Sequence, residues 1–475
     1  MKADYIKEPL LVFGQEKCIC PREGIQNYKV YDTVQSIRKQ ELLVGIVGID
    51  EDIKKMKRWL KRCEGFIPAK PQGKQKGLFK SFPGFNLDQG FCAKFLYDDT
   101  NYERSLSLND IKKVLKEDTF EKRVLCAVDL FAENVRFLSD LKNCDVVICI
   151  VPKAFEGKIV KEKKDEEPVE TTAEDEEKPN LEINFRRALK AKSMQFNAPT
   201  QIVREYILSD NNKSQDAATK AWNFCTALYY KGLQTISWKL DLDENKPKVC
   251  FVGIGFYRSR DKTTIQTSLA QIFNENGKGV ILRGTPVEIN KEDKRPHLSY
   301  EQSYSLLKGA LQKYKFATGM VPGRLVLHKT SNYYENEIKG FVEAMEEYNI
   351  TEYDIVTVME TELRFFRNNL YPPVRGSLFS LSGERHILYT RGSVHQYQTY
   401  PGMYIPAPLE IRIVENVSSV EAICREILGL TKMNWNTTQF DNKYPITIGC
   451  ARKVGEIMKY LEDRDVPKES YAFYM

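Results

Sequence analysis

The chain has 475 residues, long enough for two or three domains with full hydrophobic cores, which excludes a single small module. Apolar residues make up 42% and aromatic residues 11%, so the chain can bury enough surface to offset ordering entropy and is not a disordered one. Lys and Arg number 71 against 65 Asp and Glu, and a net +6 on so long a chain makes the placement of charge more telling than its sum.

The 11 cysteines are odd in number and lie mostly in apolar segments, among them Cys126, Cys149, Cys225, Cys250 and Cys424. That is the usage of reduced core thiols rather than of a disulfide framework. Cys18 and Cys20 form a C-x-C with no second pair and no histidine nearby, a poor zinc set. The first residues lack an apolar signal region and no stretch approaches the ~18–20 apolar residues of a membrane span, so a cytoplasmic chain is expected.

In chain order, residues 41–50 ("ELLVGIVGID") form a near-continuous apolar run. A helical pattern follows, with Ile53, Met56, Trp59 and Leu60 on one face and Asp50 as the expected N-cap. A second apolar run at 145–153 ("DVVICIVPK") follows another helical pattern. Apolar strands alternating with amphipathic helices imply a parallel sheet covered on both faces, Rossmann-like in layering. No G-x-G-x-x-G accompanies it, so a dinucleotide is not indicated. Residues 158–180 are almost all charged or polar and are expected to be a solvated or disordered insertion. A polar, Pro-containing stretch at 239–248 marks a junction between a first domain, 1–243, and a second, 244–475. Beyond it the pattern resumes, with strands at 249–256, 280–282, 325–327 and 355–358 and helices at 300–311 and 336–348.

Residues 184–203 ("NFRRALKAKSMQFNAPTQIV") place Arg186, Arg187, Lys190 and Lys192 on a short helix, with Gln201 just past a Pro-containing turn. Lys231 closes a helix whose apolar face is Ala218, Ala221, Trp222, Cys225 and Leu228. Cations from two elements and an amide donor suit a terminal phosphate, because charge-assisted bonds from several sides fix its position. A solvated basic helix face is the competing explanation.

These segments resemble the MID-domain 5′-phosphate pocket of Argonaute proteins, and Lys190, Gln201 and Lys231 match its pattern residue by residue. Arg186 stands where that pattern has Tyr or His. In the second half, "FVGIGFYRSRD", "RLVLHKTSNYYENEIKGF", "LYPPVRGS", "YTRGSVHQYQTYPGMYIPAPLEI" and the ending "YAFYM" occur in the order of a PIWI domain. The whole is similar to the short prokaryotic Argonautes, which consist of MID and PIWI alone. The fold implied is α/β, a Rossmann-like MID domain followed by a ribonuclease-H-like PIWI domain.

Ribonuclease-H-like cleavage uses carboxylates that hold two divalent ions about 4 Å apart. In cleaving relatives the first PIWI strand ends in Asp where this chain has Gly255, and a later strand ends in Asp where it has Thr330. The resemblance therefore implies a PIWI domain that does not cut. Asp261 and Glu288 are the nearby acids that could rebuild a metal pair, which keeps a guide-directed nuclease with relocated ligands as the alternative. Lys329 is expected to repel cations there, and His328 is expected to be structural.

Further expectations follow from the same resemblance. The carboxylate of Met475 would ligate a Mg²⁺ shared with the guide phosphate, an ion needed to keep two anions from repelling each other. Arg375 and Arg391, each beside glycine, would approach a sugar–phosphate backbone, whereas Tyr397, Tyr400 and Tyr404 are expected in the core. The partners implied are a guide, expected to be RNA, a complementary single-stranded DNA target, and a separate subunit joining an APAZ region to a TIR or sirtuin-like NAD-consuming effector. The setting would be defence against plasmids or phage, with a higher oligomer formed on activation.

Overall fold

The computed structural model describes residues 2–475 except 71–78, 161–182, 209–215, 244, 246, 261–262, 274–278, 288, 290–294, 366–371, 396–404 and 463–464, and leaves the side chains of 206 and 268–273 undescribed. Most of the charged insertion, both relocated-ligand candidates Asp261 and Glu288, and Tyr397, Tyr400 and Tyr404 therefore lie outside the described residues.

The first apolar run becomes the strand Glu41–Gly48, paired in parallel with Lys94–Leu96, Glu103–Ser105 and Val146–Val151, and the last of these with Thr200–Arg204. Both faces of this sheet are covered. Val44 and Ile46 share a core with Ile53, Met56 and Trp222, while Val47, Val147 and Cys149 face a second core with Phe131, Phe185 and Leu189. Asp50 lies inside the first turn of the helix Asp50–Glu64, whose N-cap is Ile49, so its charge acts on the helix dipole and does not cap it.

The second sheet has nine strands in the order Lys2–Tyr5, Ser377–Ser380, Arg385–Leu388, Leu409–Asn416, Tyr353–Glu360, Arg324–Lys329, Val249–Arg258, Ile265–Phe273, Gly279–Val287. Its centre is parallel and its two wings are antiparallel. Apolar runs found the buried central strands and the start of the wing strand Gly279–Val287, but the other wing strands alternate or carry polar residues and gave no comparable signal. Because Lys2–Tyr5 pairs with Ser377–Ser380, the first residues of the chain belong to the second sheet, and chain order and sheet membership part there.

The helices Tyr300–Thr318 and Glu335–Glu347 pack on one face of this sheet, and Ile446–Met458 on the other. A Cβ at Gly253 would come 2.3 Å from the carbonyl oxygen of Thr447, so glycine there lets the start of the last helix sit directly on the strand. One core joins the halves, running from Val44 and Trp222 through Phe251 and Trp435 to Tyr471–Met475. No helix among the described residues is long and apolar enough to cross a membrane.

Candidate nucleic-acid interface

Asn184 caps the helix Phe185–Ser193 by accepting from the Arg187 amide, and Phe185 and Leu189 anchor one face in the core. That orientation leaves Arg186 exposed and sends Lys190 beneath the sheet edge, where it is 3% exposed. Lys231 arrives from the far end of the helix Ala217–Leu233 and is 2% exposed. The two ammonium groups meet at one carbonyl: Lys190 Nζ donates to Thr200 O at 3.1 Å and Lys231 Nζ to the same oxygen at 3.4 Å. Lys231 Nζ also donates to Gln201 Oε1 at 2.6 Å. Because an ammonium group only donates, this bond takes the carbonyl side of the Gln201 amide.

The electrostatics of the cluster are unfavourable as it stands. Burial, then repulsion from Arg186, holds Lys190 well below the ordinary lysine range; burial, then repulsion from Lys190 and Arg186, does the same to Lys231. Among the described residues Cys149 is the one acidic group acting on Lys190, and burial pushes its thiol up to about 12, so it stays neutral. No carboxylate contributes to either lysine among the described residues. Buried cations without a counter-charge are costly. Arg186 and Lys190 also stand one turn apart on the helix, a like-charge spacing that is locally destabilising. Such local conflict is expected at functional or strained sites.

The structure thus brings together Lys190, Gln201, Lys231 and Arg186. It adds Lys453 on the helix Ile446–Met458, which repels both buried lysines and is itself lowered by its surroundings and by Arg186. Lys453 keeps solvent access although protein surrounds it on most sides, as a side chain at the rim of a recess does. The sequence places Lys453 on a helix, but nothing in it says that this helix crosses the helix Phe185–Ser193. The ion pair Arg187–Glu456, at 2.5 Å, and the Asn184 amide donating to Tyr460 Oη at 2.9 Å make that crossing.

The two arginines expected at a sugar–phosphate backbone are engaged within the chain. Arg375 is 1% exposed and spends its guanidinium on Glu8 at 3.0 and 3.1 Å, Leu428 O, Thr431 and Thr390 O, so it cannot reach a phosphate. Arg391 is half-buried, 3.8 Å from Asp441. Met475 is 1% exposed in the core that also holds Tyr471, Phe473 and Tyr474, and the turn Tyr471–Phe473 packs on the helix Ala217–Leu233 that carries Lys231.

At the ends of the strands Val249–Arg258 and Arg324–Lys329, Gly253 pairs with His328 and Ile254 with Lys329, which carries Gly255 and Thr330 to neighbouring positions. His328 is fully buried with Nδ1 2.9 Å from Thr447 Oγ1, and burial pushes it down to about 3, so it is a neutral tie between strand and helix. Lys329 points to the opposite face, where Glu337 takes its ammonium at 2.5 and 2.7 Å. The expectation that Lys329 repels cations at Gly255 therefore fails, because its charge is neutralised and faces away. Among the described residues no group of three His, Cys, Asp or Glu side chains could hold a metal ion.

No protein-family model matches the chain. In sequence it is 29% identical over 225 residues to the protein argonaute of Aquifex aeolicus, an alignment that covers 47% of this chain and 29% of that one. In structure it matches Clostridium butyricum Argonaute bound to a guide DNA and a 19-mer target DNA, with a TM-score of 0.66 at 16% identity over 97% of this chain. The fold is an Argonaute fold. Drosophila Piwi shares it, with a TM-score of 0.64 at 13% identity over the whole of this chain. The chain spans about half the length of those solved Argonaute and Piwi chains, 53% and 56%. Within this Argonaute-like fold the first sheet is the Rossmann-like MID layer and the nine-stranded sheet is the ribonuclease-H-like PIWI layer.

Proposed function

We propose that this chain binds the 5′-phosphorylated end of a guide, RNA by preference, and uses the guide to capture complementary single-stranded DNA. The observation that carries this reading is the pair of buried lysines, Lys190 and Lys231, that converge on Thr200 and Gln201 with no carboxylate among the described residues acting on them. A phosphate monoester brings about −1.5 to −2 charges and three acceptor oxygens, which meets two ammonium groups and an amide donor. Arg186, Arg187, Lys453 and Lys459 surround the same junction and give the following nucleotides a cationic path. The fold supports the reading, since Clostridium butyricum Argonaute was solved with both a guide and a target.

In this proposal sequence recognition belongs to base pairing and affinity to the phosphates. The PIWI layer holds the target without cutting it, Gly255 and Thr330 standing where acids would be needed. Output then requires a second subunit, an APAZ protein carrying a TIR or sirtuin-like NADase, released to act when target pairing shifts the assembly to its active, higher-order state in plasmid or phage defence.

The deciding experiment compares 3′-labelled guides that carry a 5′-phosphate or a 5′-hydroxyl. Lys190→Ala and Lys231→Ala should each weaken the phosphorylated guide about ten- to a hundredfold, as loss of a charge-assisted bond does, and leave the hydroxyl guide nearly unchanged. Equal losses on both guides would sink the assignment. A guide-positioned cut in a labelled DNA target with Mn²⁺ would replace the non-cleaving reading by a nuclease.

A further inference from the structure

Two solvent-accessible ion pairs join the layers beside the lysine cluster. Arg187 stands three residues before Lys190 on the helix Phe185–Ser193, a spacing that makes them neighbours on the helix surface. Its guanidinium meets Glu456 of the last helix at 2.5 Å. The preceding Gly455 lies directly on Tyr257, where an added Cβ would come within 2.8 Å of that side chain, so Glu456 sits beside the end of the strand Val249–Arg258. Two residues past that strand, Arg260 meets Glu121, in the first turn of the helix Phe120–Arg136, at 2.6 Å. Tyr460 ties the two pairs together: its hydroxyl accepts from the Asn184 amide at 2.9 Å, and the Arg260 guanidinium lies over its ring, 5.4 Å from the centre.

Fastening the layers does not require these pairs. A dry contact already does so: Tyr230 stacks on Trp435 at 5.2 Å, and the indoles of Trp238 and Trp435 each donate to a carbonyl across it at 3.0 Å. The four charged side chains are 33–59% exposed, and exposed ion pairs add little to stability. They are correspondingly easy to exchange. An arginine fork takes a phosphate as well as a carboxylate, and a guide anchored by its 5′ end would hold its next phosphates near Arg187 at high effective concentration.

We propose that Glu456 and Glu121 are internal substitutes for nucleic-acid phosphate. They hold Arg187 and Arg260 while no guide is present and yield them to the sugar–phosphate backbone once the 5′ end is seated. The exchange weakens every backbone contact at this seam, so that only an oligonucleotide with a second hold, its 5′-phosphate, stays bound at low concentration. The inference rests on the guide-binding reading and adds a regulation of that site.

The test measures binding of 3′-labelled 21-nucleotide RNA, with 5′-phosphate or 5′-hydroxyl, to wild type and to the Glu456→Gln, Glu121→Gln double variant. The double variant should bind both RNAs about three- to tenfold more tightly, the exchange cost of two exposed pairs, with an unchanged urea midpoint. Each single variant should show part of that gain. In an Arg187→Gln background, Glu456→Gln should bring none, because the carboxylate then has no arginine to withhold. A gain that survives in that background would mean only that removing negative charge helps any polyanion to bind. That outcome, or no gain in the double variant, would overturn this inference and leave guide binding standing. A wild type that binds neither RNA would overturn both.

Discussion

Two regions of this protein bury lysine, and they do so under opposite rules. In the nine-stranded sheet, Lys329 is fully buried with both oxygens of Glu337 on its ammonium, and Lys432 is fully buried with Glu8 at 3.0 Å. In the first sheet, Lys190 and Lys231 are as deeply buried and, among the described residues, donate to carbonyl and amide oxygens alone. The first pair of lysines is compensated within the chain; the second is the pair proposed to take its counter-charge from a guide phosphate. Burial alone therefore does not distinguish a structural cation from a binding one. The partner does.

The sharpest way to break the comparison is to remove one cation from each region. Lys329→Met leaves Glu337 buried and unpaired and should destabilise the protein by about 3–5 kcal/mol, the cost of breaking a buried pair, read from the urea midpoint. Lys190→Met should leave the midpoint of the guide-free protein unchanged or raise it, because it removes an uncompensated charge. Equal destabilisation in the two variants would erase the distinction.

A smaller effect sharpens it through pH. Lys190 and Lys231 are held below the ordinary lysine value in the folded chain. Between that lowered value and the unfolded value of about 10.4, the unfolded chain binds more protons than the folded one. Stability of the guide-free protein therefore rises with pH across this interval and levels off above it. The Lys190→Met, Lys231→Met double variant should lose that rise relative to wild type. So should wild type saturated with a 5′-phosphorylated oligonucleotide, whose charge keeps the lysines protonated. A denaturation series from pH 7 to pH 10 on the three samples checks the sign.

Much of this was legible in the sequence. The doubly covered first sheet and the parallel centre of the second follow from apolar runs such as 41–48 and 249–254, because strands buried on both faces must be apolar throughout. Lys190, Gln201 and Lys231, each one or two residues from an apolar position, are brought together by the structure. What could not be read was which helix crosses which. Lys453 joins the cluster only because the last helix lies against the helix Phe185–Ser193, a contact between residues more than 250 positions apart. Arg375 failed for the converse reason. An arginine beside glycine looks the same in sequence whether it faces a phosphate or a carboxylate, and Glu8, its partner at the other end of the chain, carries no mark of that role.

The arginines repeat the comparison at lower amplitude. Arg375 is bound on every side by Glu8, Leu428, Thr431 and Thr390, while Arg391 keeps a side chain 21% exposed beside Asp441. If exposure decides which cation can serve a ligand, the two should separate in a salt titration of oligonucleotide binding. Arg391→Ala should weaken binding a few-fold without regard to sequence and lower the salt slope by about 1 at most, as loss of one phosphate contact does. Arg375→Ala should instead act through the fold: the buried Glu8 loses one of its two cations, the urea midpoint falls, and the salt slope of the protein that remains folded is unchanged. A slope that drops for Arg375→Ala and holds for Arg391→Ala would invert the assignment, and would mean that the Glu8 network opens when nucleic acid binds.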